Sequence, residues 1–345
     1  GFALVMASMM ALSLTACGGN GSSATTAADT SAADTKAEGT TAAAPADKIG
    51  LTGSGKELIF TTGGDQGTYY GFGSVLAGQI SDMTDTTVTA IVGKGSKGNI
   101  EAMDAGDAQL GFVQSDVMAY AYNGTNLFDG AKVDGFSTVA ALYMEQVQIV
   151  TLNPDIKTVA DLKGKTVSVG DSGSGVYFNA LDCLGAYGLT IDDITPTYQS
   201  FGDSVEAMQD GKIDAAFIVA GAPTTAVTSL AATRKVYLVE LDDEHIDKLI
   251  EASPYYSKYT IAKDAYGLDA DATTVAVGAV VVARDDVDEN DIYNVVAGIY
   301  DSIDTLGHDK KNELDLDFAA SVTAVPYHKG AAKYFAEKGL TVPTK

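Results

Sequence analysis

Glu57–Asp82 reads ELIFTTGGDQGTYYGFGSVLAGQISD: a short run of strand formers, a turn holding three glycines, then a longer amphipathic run. Thr166–Gly188, TVSVGDSGSGVYFNALDCLGAYG, has the same form. Between and after them TTVTAIV alternates with NIEAMDAG, QLGFV with SDVMAYAYNG, and IDAAFIV with PTTAVTSLAATR. Such alternation predicts βαβ units and a mostly parallel sheet, an α/β fold. The two glycine turns, near residues 64 and 172, sit at equivalent places of two α/β halves. Gln146–Val150 reads as a strand leaving the first half, and DLKGKTVSVG opens the second. The run TVAVGAVVVAR (274–284), with an amphipathic helix from Glu289 to about Leu306, brings the chain back. Two crossings imply hinged lobes, with hinges near Gln146–Leu152 and Val275–Ala283 and a ligand cleft at the carboxyl ends of the strands.

The 345 residues carry 46 acidic and 22 basic side chains, a formal charge of −24. A chain this acidic, with no basic stripe, repels nucleic acid and anionic membranes at long range. Three histidines (His245, His308, His328) and two cysteines (Cys17, Cys183) cannot build a His/Cys metal cluster. No cofactor is expected.

Residues 2–16, FALVMASMMALSLTA, have the length and apolar character of a signal-peptide core and end in Leu14-Thr15-Ala16-Cys17. That tetrapeptide resembles the lipobox of bacterial lipoproteins. Residues 1–17 therefore read as a truncated lipoprotein signal peptide, and Cys17 as a lipid anchor that places the protein outside the cytoplasm, on the cell membrane. Residues 18–50 are small and polar, too poor in apolar surface to fold, and read as a tether. Such a tether reaches roughly 30 Å. Lobe 1 is then 51–148 plus 281–345, and lobe 2 is 149–280.

Catalytic motifs fail on inspection. Gly93-Lys94-Gly95-Ser96-Lys97-Gly98 fits a dinucleotide fingerprint in outline, but a secreted protein has little access to nicotinamide cofactors, and a tight turn lining a cleft suits it better. Gly164-Lys165-Thr166 lacks the earlier glycine of a P-loop, which is Val159 here. Gly170-Asp171-Ser172-Gly173 resembles a serine-protease nucleophile loop, yet no histidine precedes His245. An enzyme is not expected. What remains is two glycine loops, 61–70 and 170–175, each feeding a helix N-terminus. Their backbone N–H groups, their Ser and Thr hydroxyls and the helix dipole suit a carboxylate.

In order, TGGDQGTYYGFGSVLA (62–77), GSKGNIEAMDAGDAQLGFVQSDVMAYAYNG (95–124), VAALYMEQVQIV (139–150), DLKGKTVSVGDSGSGVYFNA (161–180) and DGKIDAAFIVAGAP (210–223) together resemble the TAXI family, the extracytoplasmic solute receptors of one branch of TRAP transporters. The resemblance spans about residues 57–305, with Asp65-Gln66 in place of the family's usual middle pair. It implies a two-lobed, type II periplasmic-binding-protein-like fold that closes on a small carboxylated solute, glutamate-like or a dicarboxylate. The solute is then passed to TRAP permease subunits in the membrane. Carried over by motif, the first lobe offers Gly64, Thr68, Tyr69, Gln114 and Ser115. Tyr143 and Glu145 stand at the crossing, and Ser172, Gly173, Ser174 and Gly175 close from the second lobe, with Gly221 and Pro223 at the cleft edge. Neither arginine, Arg234 or Arg284, lies in a candidate loop. The carboxylate thus falls to backbone N–H groups and hydroxyls. A secreted α/β enzyme, or a sensor for a membrane signalling partner, would use the same scaffold.

Overall fold

In the computed structural model, which describes residues 48–345, the first half is a strand–helix series. It runs β1 (Glu57–Thr61), α1 (Thr68–Met83), β2 (Thr87–Ile91), α2 (Ser96–Asp104), β3 (Leu110–Gln114) and α3 (Ser115–Asn123). The 16-residue strand β4 (Phe136–Thr151) then carries the chain across. The second half comprises β5 (Thr166–Ser168), α4 (Val176–Ala186), β6 (Thr195–Thr197), α5 (Phe201–Gln209), β7 (Ala215–Ala220), α6 (Thr225–Ala231), β8 (Tyr237–Val239), α7 (Asp243–Ala252) and β9 (Ser257–Ile261). Strand β10 (Ala272–Arg284) returns, followed by α8 (Glu289–Tyr300), α9 (Leu316–Ala319) and α10 (Lys329–Glu337). The segment carrying Cys17 lies outside the described residues. Among those described, no helix is long and apolar enough to cross a membrane.

One sheet runs β2-β1-β3-β10-β4-β7-β5-β6, with β8 added to β4 and β9 to β10. The sheet is mixed, which corrects the mostly parallel expectation. Pairs β1/β2, β1/β3, β5/β6 and β5/β7 are parallel, but β4 and β10 run against every neighbour. Both crossing strands are buried on both faces and apolar over most of their length, and such runs carry no sign of direction. The two strands also change partner midway. Residues before Gln146 in β4 pair with β10, and residues from Gln146 onward pair with β7. In β10 the change falls at Ala276, where pairing with β9 gives way to pairing with β4.

Each half has its own core. Helix α1 buries Tyr69, Phe72, Leu76 and Ile80, spaced to form one face, against Phe60, Phe112, Leu142 and Val296. The other face of that half buries Ile100, Val113, Val117, Phe128 and Val280. In the second half, successive residues of β4 point to opposite faces: Ile149 joins Val167, Leu184 and Phe217, whereas Val150 joins Ile218, Val227 and Leu230. The chain after α8 packs on the first half, with Tyr334 and Phe335 of α10 in the α1 core. Helix α8 stops at Tyr300, short of the expected Leu306. A 3₁₀ turn at Ile303–Thr305 keeps Leu306 buried, so the apolar pattern outlasts the helix.

Candidate functional site

Between the halves lies a cavity of about 90 Å³. That is well below the roughly 300–1,000 Å³ of drug-sized pockets. Three loops feed it: Gly63–Tyr69 ahead of α1, Gly93–Ser96 ahead of α2, and Asp171–Val176 ahead of α4. Gln199–Gly202, Val219 and Ala220 complete the wall from the second half.

The three loops end in glycine N-caps, Gly67, Gly95 and Gly175, none of which supplies a capping side chain. Helices α5, α7, α8, α9 and α10 are instead capped by the side chains of Ser200, Asp242, Asp288, Asp315 and His328. Of the first-turn N–H groups of α1, α2 and α4, that of Gly98 donates to the Gly173 carbonyl, and the cavity faces the positive ends of the three helix dipoles. No Ser or Thr side chain caps these three helices. Thr68 Oγ1 donates to the Gly221 carbonyl at 2.9 Å, across the cleft. Among the described residues four buried side-chain polar atoms have no partner: Ser174 Oγ and Gln114 Oε1 of lining residues, and Asp116 Oδ1 and Tyr143 Oη away from the lining.

The lining has one buried acidic side chain. Glu145 is 2% exposed, and its carboxylate accepts from Tyr69 Oη at 2.8 Å. Burial pushes its carboxyl up to about 8, against the lowering effect of the Tyr69 hydroxyl. Asp65, Lys94 and Asp171 lie at the exposed rim.

Behind the cavity a buried polar network joins the halves. Gln114 Nε2 donates to Asn179 Oδ1 at 2.9 Å, and Asn179 Nδ2 donates to Asp116 Oδ2 at 3.1 Å and Tyr256 Oη at 2.7 Å. Tyr256 in turn donates to Asp182 at 2.8 Å. Burial pushes the Asp116 carboxyl up to about 7. More contacts cross the boundary: Gly98 N–H to the Gly173 carbonyl at 2.9 Å, Ala226 N–H to the Gln66 carbonyl at 3.2 Å, and Lys310 Nζ to the Ala222 carbonyl at 3.0 Å. Phe178 of α4 inserts into the first-half core beside Phe128. The halves are closed on each other.

Of the residues singled out from sequence, Gly64, Thr68, Tyr69, Gln114, Glu145, Ser174 and Gly175 line the cavity. Six others do not. Ser115 is turned away, its hydroxyl accepting from the Gly278 N–H at 3.0 Å. Tyr143 is buried in the first-half core. Ser172 is exposed, because the turn at Gly173, with φ of +92°, points it outward. Gly173 instead meets Gly98, Gly221 meets Thr68 and Lys310, and Pro223 is exposed at the edge. Gly93–Ser96, read as a cleft-lining turn, does line the cavity. Sequence reading missed Gln199–Gly202, which carries no glycine-rich signature, though its Ser200 cap was a usable sign of a helix start.

No histidine lines the cavity. His245 stacks on Tyr187 at 3.7 Å, His308 lies against Phe72, and His328 caps α10. The arginines are also elsewhere: Arg284 pairs with Asp286, and Arg234 donates to the Gln209 carbonyl. Among the described residues, no group of three or more His, Cys, Asp or Glu is placed to hold a metal.

A putative aliphatic sulfonates-binding protein of Escherichia coli (strain K12) is 43% identical over 70 residues, 20% of this chain and 22% of that relative. The match thus spans about a fifth of the curated relative's length. Among solved structures, the alkanesulfonate-binding protein SsuA from Xanthomonas axonopodis pv. citri, bound to MOPS, is similar at 17% identity and a TM-score of 0.47, covering 81% of this chain and 83% of that one. A putative L-cystine ABC transporter from Listeria monocytogenes is similar at 15% identity and a TM-score of 0.48, covering 76% of this chain and 98% of that one. The fold is α/β, a mixed sheet with helices, and the cavity lies between its two halves. The model of the NMT1-like family matches residues 60–339, so the chain belongs to the NMT1-like family.

Proposed function

We propose that the protein is an extracytoplasmic solute-binding receptor that closes its two halves on a small carboxylated solute and delivers it to a membrane transporter. The observation that carries this reading is the convergence of three uncapped helix N-termini, from both halves, on one small cavity. Their N–H groups, with the Ser174 hydroxyl, form a carboxylate site that needs no arginine. A ligand favours the closed state only through contacts made to both halves, and these loops supply them. We place the hinge where β4 and β10 change partners, at Gln146 and Ala276, within lobes of 51–148 plus 281–345 and 149–280. The motif order in 62–223 supports a TRAP permease as the recipient, and the lipobox at Cys17 supports a membrane anchor.

Ser174→Asp tests the site. A carboxylate there would occupy the α4 N-terminus and repel an anionic ligand, so calorimetric binding of any carboxylate that stabilises the wild type should be lost. Unchanged affinity would remove the loop from the site. Arg234→Ala, on the outer surface, should leave affinity intact.

A further inference from the structure

Away from the cavity, the contact between the halves is built around a carboxyl group that closure deprives of water. Asp116, in the first turn of α3, is fully buried, and its side-chain partner belongs to the second half. Asn179 Nδ2 donates to Oδ2 at 3.1 Å, whereas Oδ1 has no partner. The same amide nitrogen donates to Tyr256, whose hydroxyl donates to Asp182. Closure thus sets a first-half carboxyl and a second-half carboxyl at the two ends of one chain of hydrogen bonds. Beside it Phe178 of α4 stacks on Phe128 and Tyr120, and Tyr120 Oη lies 3.1 Å from Ser253 Oγ, so these contacts cross between the halves as well. The titratable groups facing Asp116 are Glu145 on β4, Tyr120 on α3, Asp182 on α4, and Tyr255 and Tyr256 ahead of β9. None of them is a cation. An ionised carboxylate buried without one is costly, and neighbouring carboxyls oppose it further. The N–H groups of Asp116 and Val117 ease the charge, yet burial prevails and holds the carboxyl up at about 7, against an ordinary 3.8.

Resting on the receptor reading above, we propose that closing the halves takes up a proton on Asp116, so that the closed form gains population as pH falls and the open form as pH rises. The proton is then a second ligand of the closed form, held apart from the cavity. Parting the halves breaks the Asn179 and Phe178 contacts and returns Asp116 to water, where it ionises at its ordinary value. Between 3.8 and about 7 the closed form therefore keeps a proton that the open form has released. Across that window the ratio of closed to open falls by up to about tenfold for each pH unit gained, and it levels off above the window. Asp116 does not line the cavity, so any solute that binds the closed form inherits this slope whatever its own chemistry. Glu145 contributes less, because its hydrogen bond from Tyr69 and its charged neighbours Asp116 and Lys310 all belong to the first half and stay with it.

The test is small-angle scattering of the full chain without solute at about pH 5, 6 and 7, with Asp116→Asn measured alongside so that both carry the same acidic N-terminal segment. The closed-to-open ratio should fall by up to about a hundredfold from pH 5 to pH 7. The expected result is a radius of gyration that grows with pH in the wild type and grows less in Asp116→Asn. A wild-type radius that is unchanged or smaller at pH 7, or an Asp116→Asn radius that grows as much as the wild type's, overturns the proposal. If Asp116→Asn does not fold, Asp182→Asn takes its place: removing that neighbouring charge should shrink the rise, and an unaltered rise overturns the proposal equally. A radius blind to pH that still falls when a solute binds leaves the receptor reading standing, and a radius that responds to neither counts against both.

Discussion

Gly175 marks where the two halves approach most tightly at the cavity. A Cβ added there would lie 1.8 Å from Gln114 Oε1 and 2.8 Å from Ser96 Oγ, both on the opposite half. Gly175→Ala must push the halves apart or displace the buried Gln114. Overpacking of this kind costs about 1–3 kcal/mol, and because the contact exists only when closed, solute affinity should fall roughly 10- to 100-fold. Calorimetry checks this, and an unchanged dissociation constant would mean that the halves do not close as described. Gly175 and Ser174 were visible in the sequence because glycine clusters mark loops. Glu145 was visible only in part. A single carboxylate in the apolar run VAALYMEQVQIV is conspicuous, but its depth and its Tyr69 partner depend on how α1 lies over β4. Ser115 and Tyr143 sit close to lining residues in sequence yet face away, because adjacent side chains along a strand or at a helix start point in different directions.

A side-chain cap away from the cavity predicts an effect separable from binding. Asp288 caps α8 by accepting from the Asn290 N–H at 2.9 Å, far from the cavity. Asp288→Ala should lower unfolding free energy by about 0.5–2 kcal/mol and leave solute affinity unchanged. Phe217, fully buried on β7, should cost about 3–5 kcal/mol when cut to Ala. Chemical denaturation ranks the two, and equal costs would contradict the core assignment. Most of these elements were legible from alternating strand and helix runs. The directions of β4 and β10 were not, since a run such as AVGAVVVA reads the same whichever neighbour it pairs with. The end of α8 was overrun because Ile303 and Leu306 continue its apolar spacing from a 3₁₀ turn.

For the protein in bulk, the two carboxyls held up by burial set the response to pH. Asp116 stands at about 7 and Glu145 at about 8, against ordinary values of 3.8 and 4.5. Between those values the native state holds protons that the unfolded chain has released, so stability falls as pH rises through this window and levels off above it. The ligand-free protein should melt at a lower temperature near pH 8.5 than near pH 5.5, and Asp116→Asn with Glu145→Gln should flatten the difference. A wild type more stable at the higher pH would contradict the burial of both groups. The charge of −24 sets a wider field that repels an anion, so the proposed carboxylate site depends on the local positive ends of α1, α2 and α4. The two-lobed plan could be inferred from a pair of glycine turns and a pair of crossings. The interlock of Asn179, Gln114 and Asp116 could not, because it joins side chains more than 60 positions apart. The decisive measurement is small-angle scattering of the wild type across a panel of amino acids and dicarboxylates. The account predicts a saturable decrease in radius of gyration with at least one of them, absent in Gly175→Ala. An unchanged radius with a solute that calorimetry shows to be bound would contradict it.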